Sequence, residues 1–372
     1  MNDFADRALL PAGLRDVLPP AAAHEADVVG RLLSAFAAHG YQQVKPPLIE
    51  FEESLLAGGG AVTGAYSFRV MDPVSQKMMA VRADITPQVA RIATTRLAKA
   101  PRPLRLSYAG QVLRVKGSQL RPERQFAQAG VELIGPAAAA ADAEVITLAA
   151  QALINLGMRE VSVDLSLPTL GGLIVGADFP DGLRDALDRK DAAAVAALGG
   201  AAAPLLGSLV NAVGPVDSAL ARLSALALPP AADLLVRQLA EVVGLVRAAA
   251  PDLILTIDPV ENRGFEYHTG IAFAIFARHW SGELGRGGRY LANGEQATGA
   301  TLFMDAVLEA LPGPTAPRRL FLPAGTPGPT AARLRAEGWV TVAGFAAMAD
   351  AAAEARRLGC GHVLKDNQVV PA

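Results

Sequence analysis

The stretch Arg121-Pro-Glu-Arg-Gln-Phe-Ala-Gln-Ala-Gly-Val-Glu-Leu-Ile-Gly135 constrains this chain more than any other. Side chains alternate across a sheet with a period of two, so a strand here has two unlike faces. Gln125, Ala127, Ala129, Val131 and Leu133 form a mostly apolar row suited to packing against helices. The opposite face carries Phe126, Gln128, Gly130, Glu132 and Ile134, which sets a carboxamide and a carboxylate either side of a glycine. Gln128 and Glu132 lie about 13 Å apart at the usual rise per residue. A glycine between them leaves room for something to lie flat on the sheet, so this face is expected to be a ligand floor. The competing reading is an antiparallel strand whose polar face is simply solvated.

Leu104 to Lys116 is a second alternating run, and with the first it makes a long hairpin closed by a polar loop. Arg114 and Arg124 flank that loop, so two guanidiniums are expected to converge on an anion near the floor. Arg114, Gln119, Arg124, Phe126, Gln128, Gly130, Glu132 and Gly135 fall in a spacing that resembles motif 2 of the class II aminoacyl-tRNA synthetases, in its histidyl-tRNA synthetase form.

A length of 372 residues points to about two domains, and 51% apolar with 19% charged residues describes a globular chain with ample core. With 34 basic and 36 acidic residues there is no sign of a broad nucleic-acid footprint. The single cysteine, Cys360, allows no internal disulfide and fits a reducing cytosol. Met1 to Pro20 has no apolar core of a signal peptide, and Ala192 to Asn211, although uncharged, is broken by Gly199, Gly200 and Pro204, so neither a leader nor a membrane span is expected and the chain is read as cytoplasmic. Five histidines and no zinc, Walker or dinucleotide pattern in a fitting context leave neither metal nor cofactor expected.

In chain order, an amphipathic helix is expected from about Ala21 to His39, stopped by Gly40, and then a strand from Tyr41 to Pro46. The unit resembles motif 1 of the same superfamily, part of its dimer interface. Residues 66–72 and 77–82 form a hairpin that delivers Arg82 and Asp84 to a strand end, where Thr86-Pro87 opens a helix. By resemblance, Asp84 stands where the family binds the substrate's amino group; by local chemistry alone it caps the helix. A helix from Asp142 to Gly157, a strand from Val161 to Leu165, an inserted helical block over about 168–252 and a strand from Leu253 to Asp258 follow. Glu261-Asn-Arg-Gly-Phe-Glu-Tyr-His-Thr-Gly270 resembles the histidyl-tRNA synthetase signature Arg-Gly-Leu-Asp-Tyr-Tyr-Thr-Gly, with Arg263, Gly264, Tyr267, Thr269 and Gly270 in place and His268 for the second tyrosine. In that family these residues close over the imidazole of histidine. At the end of the chain, Arg319 to Ala372 reads as three short strands and two helices.

The departures fall on one side of the site. Gly285-Arg-Gly-Gly-Arg-Tyr290 is similar to the family's Gly-Gly-Gly-Arg-Tyr-Asp loop with Leu291 for the aspartate; Ala306 stands where motif 3 supplies an arginine to ATP, Phe303 replaces a glycine, and Lys116 stands for the acid that meets adenine. Groups for the amino acid persist while groups for ATP are lost, and activation without charge neutralisation at the triphosphate is severely impaired. The combination resembles the histidyl-tRNA synthetase-like regulatory subunits of ATP phosphoribosyltransferase. The resemblance implies an α+β fold, a class II synthetase-like antiparallel sheet flanked by helices over 1–311, a linker over 312–318 and a small α/β module over 319–372 that is too short for a full anticodon-binding domain. It further implies no catalysis by this chain, a short-form catalytic phosphoribosyltransferase subunit as partner, self-association as a dimer, no tRNA, and feedback inhibition by histidine. The histidine site would comprise Asp84, Arg114, Gln128, Glu132, Arg263, Tyr267 and His268, supported by Arg82, Thr86, Arg124 and Gly130. The rival reading is an amino-acid-activating enzyme related to histidyl-tRNA synthetase.

Overall fold

A computed structural model describes residues 9–57, 64–117, 122–176, 179–262, 264 and 267–372; Gln119 and Arg263 lie outside them. Two compact units are found, one ending at Gly313 and one spanning Pro314–Ala372.

The larger unit opens with helix α1 (Ala21–Ala38), which buries Val28, Leu32 and Phe36 along one stripe at four-residue spacing. Strand β1 (Gln42–Gln43) is shorter than the Tyr41–Pro46 strand expected, because Pro46 and Pro47 have no N–H to continue a ladder. Strands β2 (Ile49–Phe51), β3 (Arg69–Met71) and β4 (Met78–Val81) form a small antiparallel sheet in the order β2-β4-β3. Helix α2 (Thr86–Thr94) follows, with Pro87 in its first turn where a missing N–H costs nothing. The expected hairpin is formed by β5 (Leu104–Leu113) and β6 (Gln125–Ile134), with Tyr108 opposite Gly130 and Leu106 opposite Glu132.

Beyond it come α3 (Ala139–Asn155), β7 (Val161–Ser166), a run of short helices from Leu170 onwards, β8 (Gly214–Pro215), α4 (Pro230–Ala249) and β9 (Ile254–Asp258). The block from 168 to 252 is therefore not wholly helical: β8 pairs antiparallel with β9 as the outermost strand of the main sheet. The unit closes with β10 (Ala272–Ala277), β11 (Gly285–Ala292), β12 (Glu295–Phe303) and α5 (Met304–Ala310). The main sheet runs β1-β5-β6-β12-β11-β10-β7-β9-β8 and is antiparallel except at β1–β5 and β7–β9. Ala129, Val131 and Leu133 of β6 face the buried layer containing α3, as their alternation requires.

In the C-terminal unit, β13 (Arg319–Leu322), α6 (Gly328–Ala336), β14 (Val340–Ala343), α7 (Ala351–Arg357), β15 (His362–Lys365) and β16 (Gln368–Pro371) give a sheet ordered β14-β13-β15-β16. This is one strand more than the sequence suggests. The fourth is made by the two-residue turn Asp366-Asn367, whose φ angles of 49° and 63° are those of a tight hairpin that Asp and Asn tolerate.

Candidate functional site

Glu132 is the chemical centre of the polar face of β6. It is 1% exposed, and burial raises its carboxyl from the ordinary 4.5 to about 8. Tyr290 donates to its Oε2 at 2.8 Å and Tyr108 to its Oε1 at 3.4 Å. The Tyr108 hydroxyl also meets Thr301 Oγ1 at 2.7 Å and Thr86 Oγ1 at 3.2 Å, so hydroxyls from four separate elements converge beside one carboxyl. Register brings them there: β6 pairs with β5 on one side and β12 on the other, which sets Tyr108 and Thr301 either side of Gly130. Gly299 stands directly opposite Glu132, and a Cβ there would collide with the carboxylate.

Gly130 is not the open floor that alternation suggests. A Cβ at Gly130 would meet the Tyr108 hydroxyl and the Ala300 carbonyl oxygen, so the glycine makes room for Tyr108 and not for a ligand. Nor is this face solvated: Gln128 is 0% exposed. Its Oε1 accepts the Ile85 N–H at 3.1 Å and its Nε2 donates to Asp84 Oδ2 at 3.3 Å. Gln128 thus orients Asp84 from behind. The other oxygen of Asp84 accepts the Thr86 N–H at 2.9 Å at the start of α2, so both carboxylate oxygens are held by hydrogen bonds while the residue lines the main cavity. Arg82 does not point outward from its strand end. Its guanidinium is buried and donates to the carbonyls of Gln111 at 2.8 Å and Pro46 at 3.0 Å, clamping β5 to the segment before β2.

The two arginines of the hairpin part company. Arg114 lies over the Phe126 ring at 5.0 Å and lines the main cavity; burial lowers its pKa, and Asp84 counters that. Arg124 instead donates to the carbonyls of Arg114 at 3.2 Å and Ala12 at 3.0 Å, with its guanidinium over Phe68. It is committed to backbone acceptors, because the chain before α1 crosses the hairpin there, and so it does not converge with Arg114 on the floor. Phe303 packs edge to face on Phe126 at 6.5 Å, and the Arg286 guanidinium lies 5.8 Å from the Phe303 ring centre. Phe303 and Arg286 thus stand near Phe126 on the wall of the main cavity.

The main cavity, of about 820 Å³, is lined by Asp84, Thr86, Arg114, Glu132, Tyr267 and Tyr290, among others. Tyr267 and His268 stack on each other at 4.2 Å, and Tyr290 meets Tyr267 edge on at 5.9 Å. His268 is buried and Tyr267 half-buried, so Tyr267 presents the face of the wall. Among the predicted residues, Asp84, Arg114, Glu132, Tyr267 and His268 are brought around one cavity, with Gln128 behind it. Sequence reasoning missed Tyr108, Tyr290, Thr301 and Arg286. Tyr290 and Arg286 carried a signal, since both belong to the Gly-Arg-Gly-Gly-Arg-Tyr loop and Arg286 stands at the first glycine of the family's pattern; Tyr108 and Thr301 needed the strand register.

A sequence profile of the histidyl-tRNA synthetase family matches residues 13–307. An ATP phosphoribosyltransferase regulatory subunit from Paramagnetospirillum magneticum is 62% identical over 376 residues, covering 100% of this chain and 99% of that protein. The chain belongs to the ATP phosphoribosyltransferase regulatory subunits. Such a regulatory subunit serves histidine biosynthesis and is non-catalytic. The fold agrees: a crystal structure described as an ATP phosphoribosyltransferase regulatory subunit/histidyl-tRNA synthetase from Bacillus halodurans superposes with a TM-score of 0.80 at 23% identity, covering 94% of this chain and 96% of that one. A chain of the ATP phosphoribosyl transferase (HisG:HisZ) complex from Thermotoga maritima superposes with a TM-score of 0.59 at 18% identity, covering 75% of this chain and 97% of that one. In a regulatory subunit, Ala306, Phe303 and Lys116 at the places of the ATP groups have a plain meaning: the synthetase frame is kept and its activation chemistry is not. Among the described residues no helix is long and apolar enough to cross a membrane.

Proposed function

We propose that this regulatory subunit senses histidine in the cavity around Glu132 and transmits its occupancy to a short-form catalytic ATP phosphoribosyltransferase subunit, which it activates and renders sensitive to feedback inhibition. The observation that carries the reading is the arrangement of Glu132: a buried carboxyl ringed by hydroxyls, with Asp84 and Arg114 on the same cavity. Free histidine offers an imidazole N–H and an ammonium, which need acceptors, and a carboxylate, which needs a cation. Glu132 is the acceptor for the imidazole, Asp84 for the ammonium, and Arg114 the cation, with Arg263 a further candidate outside the described residues. Tyr267 forms the wall for the ring. Arg82, Thr86 and Gln128 hold these groups in place rather than contact the ligand.

Partnership with a catalytic subunit is supported by the HisG:HisZ complex of Thermotoga maritima, one of whose chains shares this fold. Self-association as a dimer is supported by the small sheet β2-β4-β3 beside the motif 1 segment, one face of which leaves Ile49, Phe51 and Val70 exposed together. Histidine can inhibit only if it binds one state of the assembly better than the other. Calorimetry of histidine on the isolated chain, paired with inhibition assays on the reconstituted complex, tests the reading. Binding to the chain alone with inhibition of the complex at matching concentrations is expected; inhibition that persists when the chain alone binds no histidine would place the effector elsewhere.

A further inference from the structure

Past Arg286 the same face of the main sheet opens into a second void of about 390 Å³ over β7 and β10, lined by Asp164, Ser166, Glu261, Ala274, Phe276 and Arg286, among others. We propose that this void is a second ligand site, selective for a small organic ammonium or imidazolium cation, with Asp164 and Ser166 as its polar contacts and Phe276 as its aromatic wall.

Three observations point to this ligand class. The Ser166 residue is 2% exposed and its Oγ has no hydrogen-bond partner, although buried hydroxyls are nearly always paired; a hydroxyl both donates and accepts, so this oxygen can take a ligand N–H, and the preference for a cation comes from Asp164 beside it. Asp164 forms no ion pair among the described residues, whereas the neighbouring charges do: Lys190 with Asp258 at 2.8 Å and Glu261 at 3.7 Å, and Arg286 with Glu283. The Thr256 hydroxyl donates to Oδ1 of Asp164 at 2.5 Å, which leaves the second carboxylate oxygen for another donor. Burial raises the Asp164 carboxyl to about 6, so it is ionised at neutral pH. Phe276 completes the set, because the face of an aromatic ring attracts a desolvated cation that a carboxylate alone would hold without selectivity for an organic body. Asp164 and Ser166 do not line the histidine pocket, while Phe276 and Arg286 border both voids, so the polar contacts of this site are separate from those around Glu132.

The test uses the full chain at pH 8 with benzylammonium as probe and benzyl alcohol as its neutral counterpart, followed by calorimetry and ligand-observed NMR. Benzylammonium is expected to bind and benzyl alcohol not. Ser166→Ala should weaken binding several-fold and Asp164→Asn about tenfold or more, while Glu132→Gln leaves it unchanged. Ser166→Ala removes one oxygen from a strand that keeps its ladder, so it decides the question even if Asp164→Asn fails to fold. Absence of benzylammonium binding, equal binding of the alcohol, affinity unaltered by Ser166→Ala, or loss on Glu132→Gln would each overturn the assignment; the first of these is what a void holding only water gives.

Discussion

Replacing Glu132 by Gln separates what this buried acid does for the fold from what it does for a ligand. Gln has the shape of the protonated acid, and at neutral pH the empty pocket holds Glu132 mostly protonated, since its folded pKa is about 8. A group whose folded pKa lies above its unfolded one binds protons more tightly when folded. Stability of the unliganded chain therefore falls as pH rises from 4.5 to about 8 and levels off above that. The full span corresponds to roughly 5 kcal/mol as an upper bound, and the part reached by pH 7 to roughly 3 kcal/mol. Glu132→Gln has no charge to withhold, so without ligand it should melt at or above the wild-type temperature at pH 8 and converge with it near pH 4.5. Histidine reverses the order. An ionised carboxylate accepting the imidazole N–H contributes about 1.5–3 kcal/mol, so the variant should bind histidine about ten- to a hundred-fold more weakly and lose feedback inhibition in parallel. Thermal melts from pH 5 to 9 on both chains give the first quantity as a difference that cancels every other titrating group, and calorimetry gives the second. Unchanged histidine affinity and inhibition in Glu132→Gln would refute the assigned role of the pocket, and a variant less stable than wild type at pH 8 would refute the account of its burial.

Gly130→Ala should destabilise the chain by about 1–3 kcal/mol in chemical denaturation, because the new methyl meets Tyr108 and the Ala300 carbonyl, and Tyr108→Phe should not relieve it since the ring itself is in the way. Arg82→Met leaves the carbonyls of Gln111 and Pro46 without their donor and should cost roughly 3 kcal/mol, read in the same assay. The isolated chain should give no ATP–pyrophosphate exchange with histidine, and restoring arginine at Ala306 alone should not produce it, because Lys116 and Phe303 still depart from the synthetase pattern. No salt-sensitive retention of tRNA is expected in filter binding, given a formal net charge of −2.

The alternation of Gln125 to Ile134 sufficed to find the central strand, its hairpin partner and the carboxyl that matters, because a period of two is a local property. What lay beyond it was set by pairing. Tyr108, Thr301 and Tyr290 reach Glu132 from β5, β12 and β11, and no local pattern states that Gly130 sits between Tyr108 and Thr301 in register. Arg124 was misplaced for the same reason: its acceptors include Ala12, 112 residues earlier. The edge strand β8 escaped notice because two residues carry no periodicity at all.

Between β6, which carries Glu132, and β7, which carries Ser166, lie β12, β11 and β10. At the usual spacing of strands this sets the two residues about 19 Å apart across the sheet. Arg286 borders both compartments, so two occupants would share one wall. Whatever free energy each lends the other through that guanidinium must be equal in both directions, which makes a single side chain the place where two chemical signals would be added together.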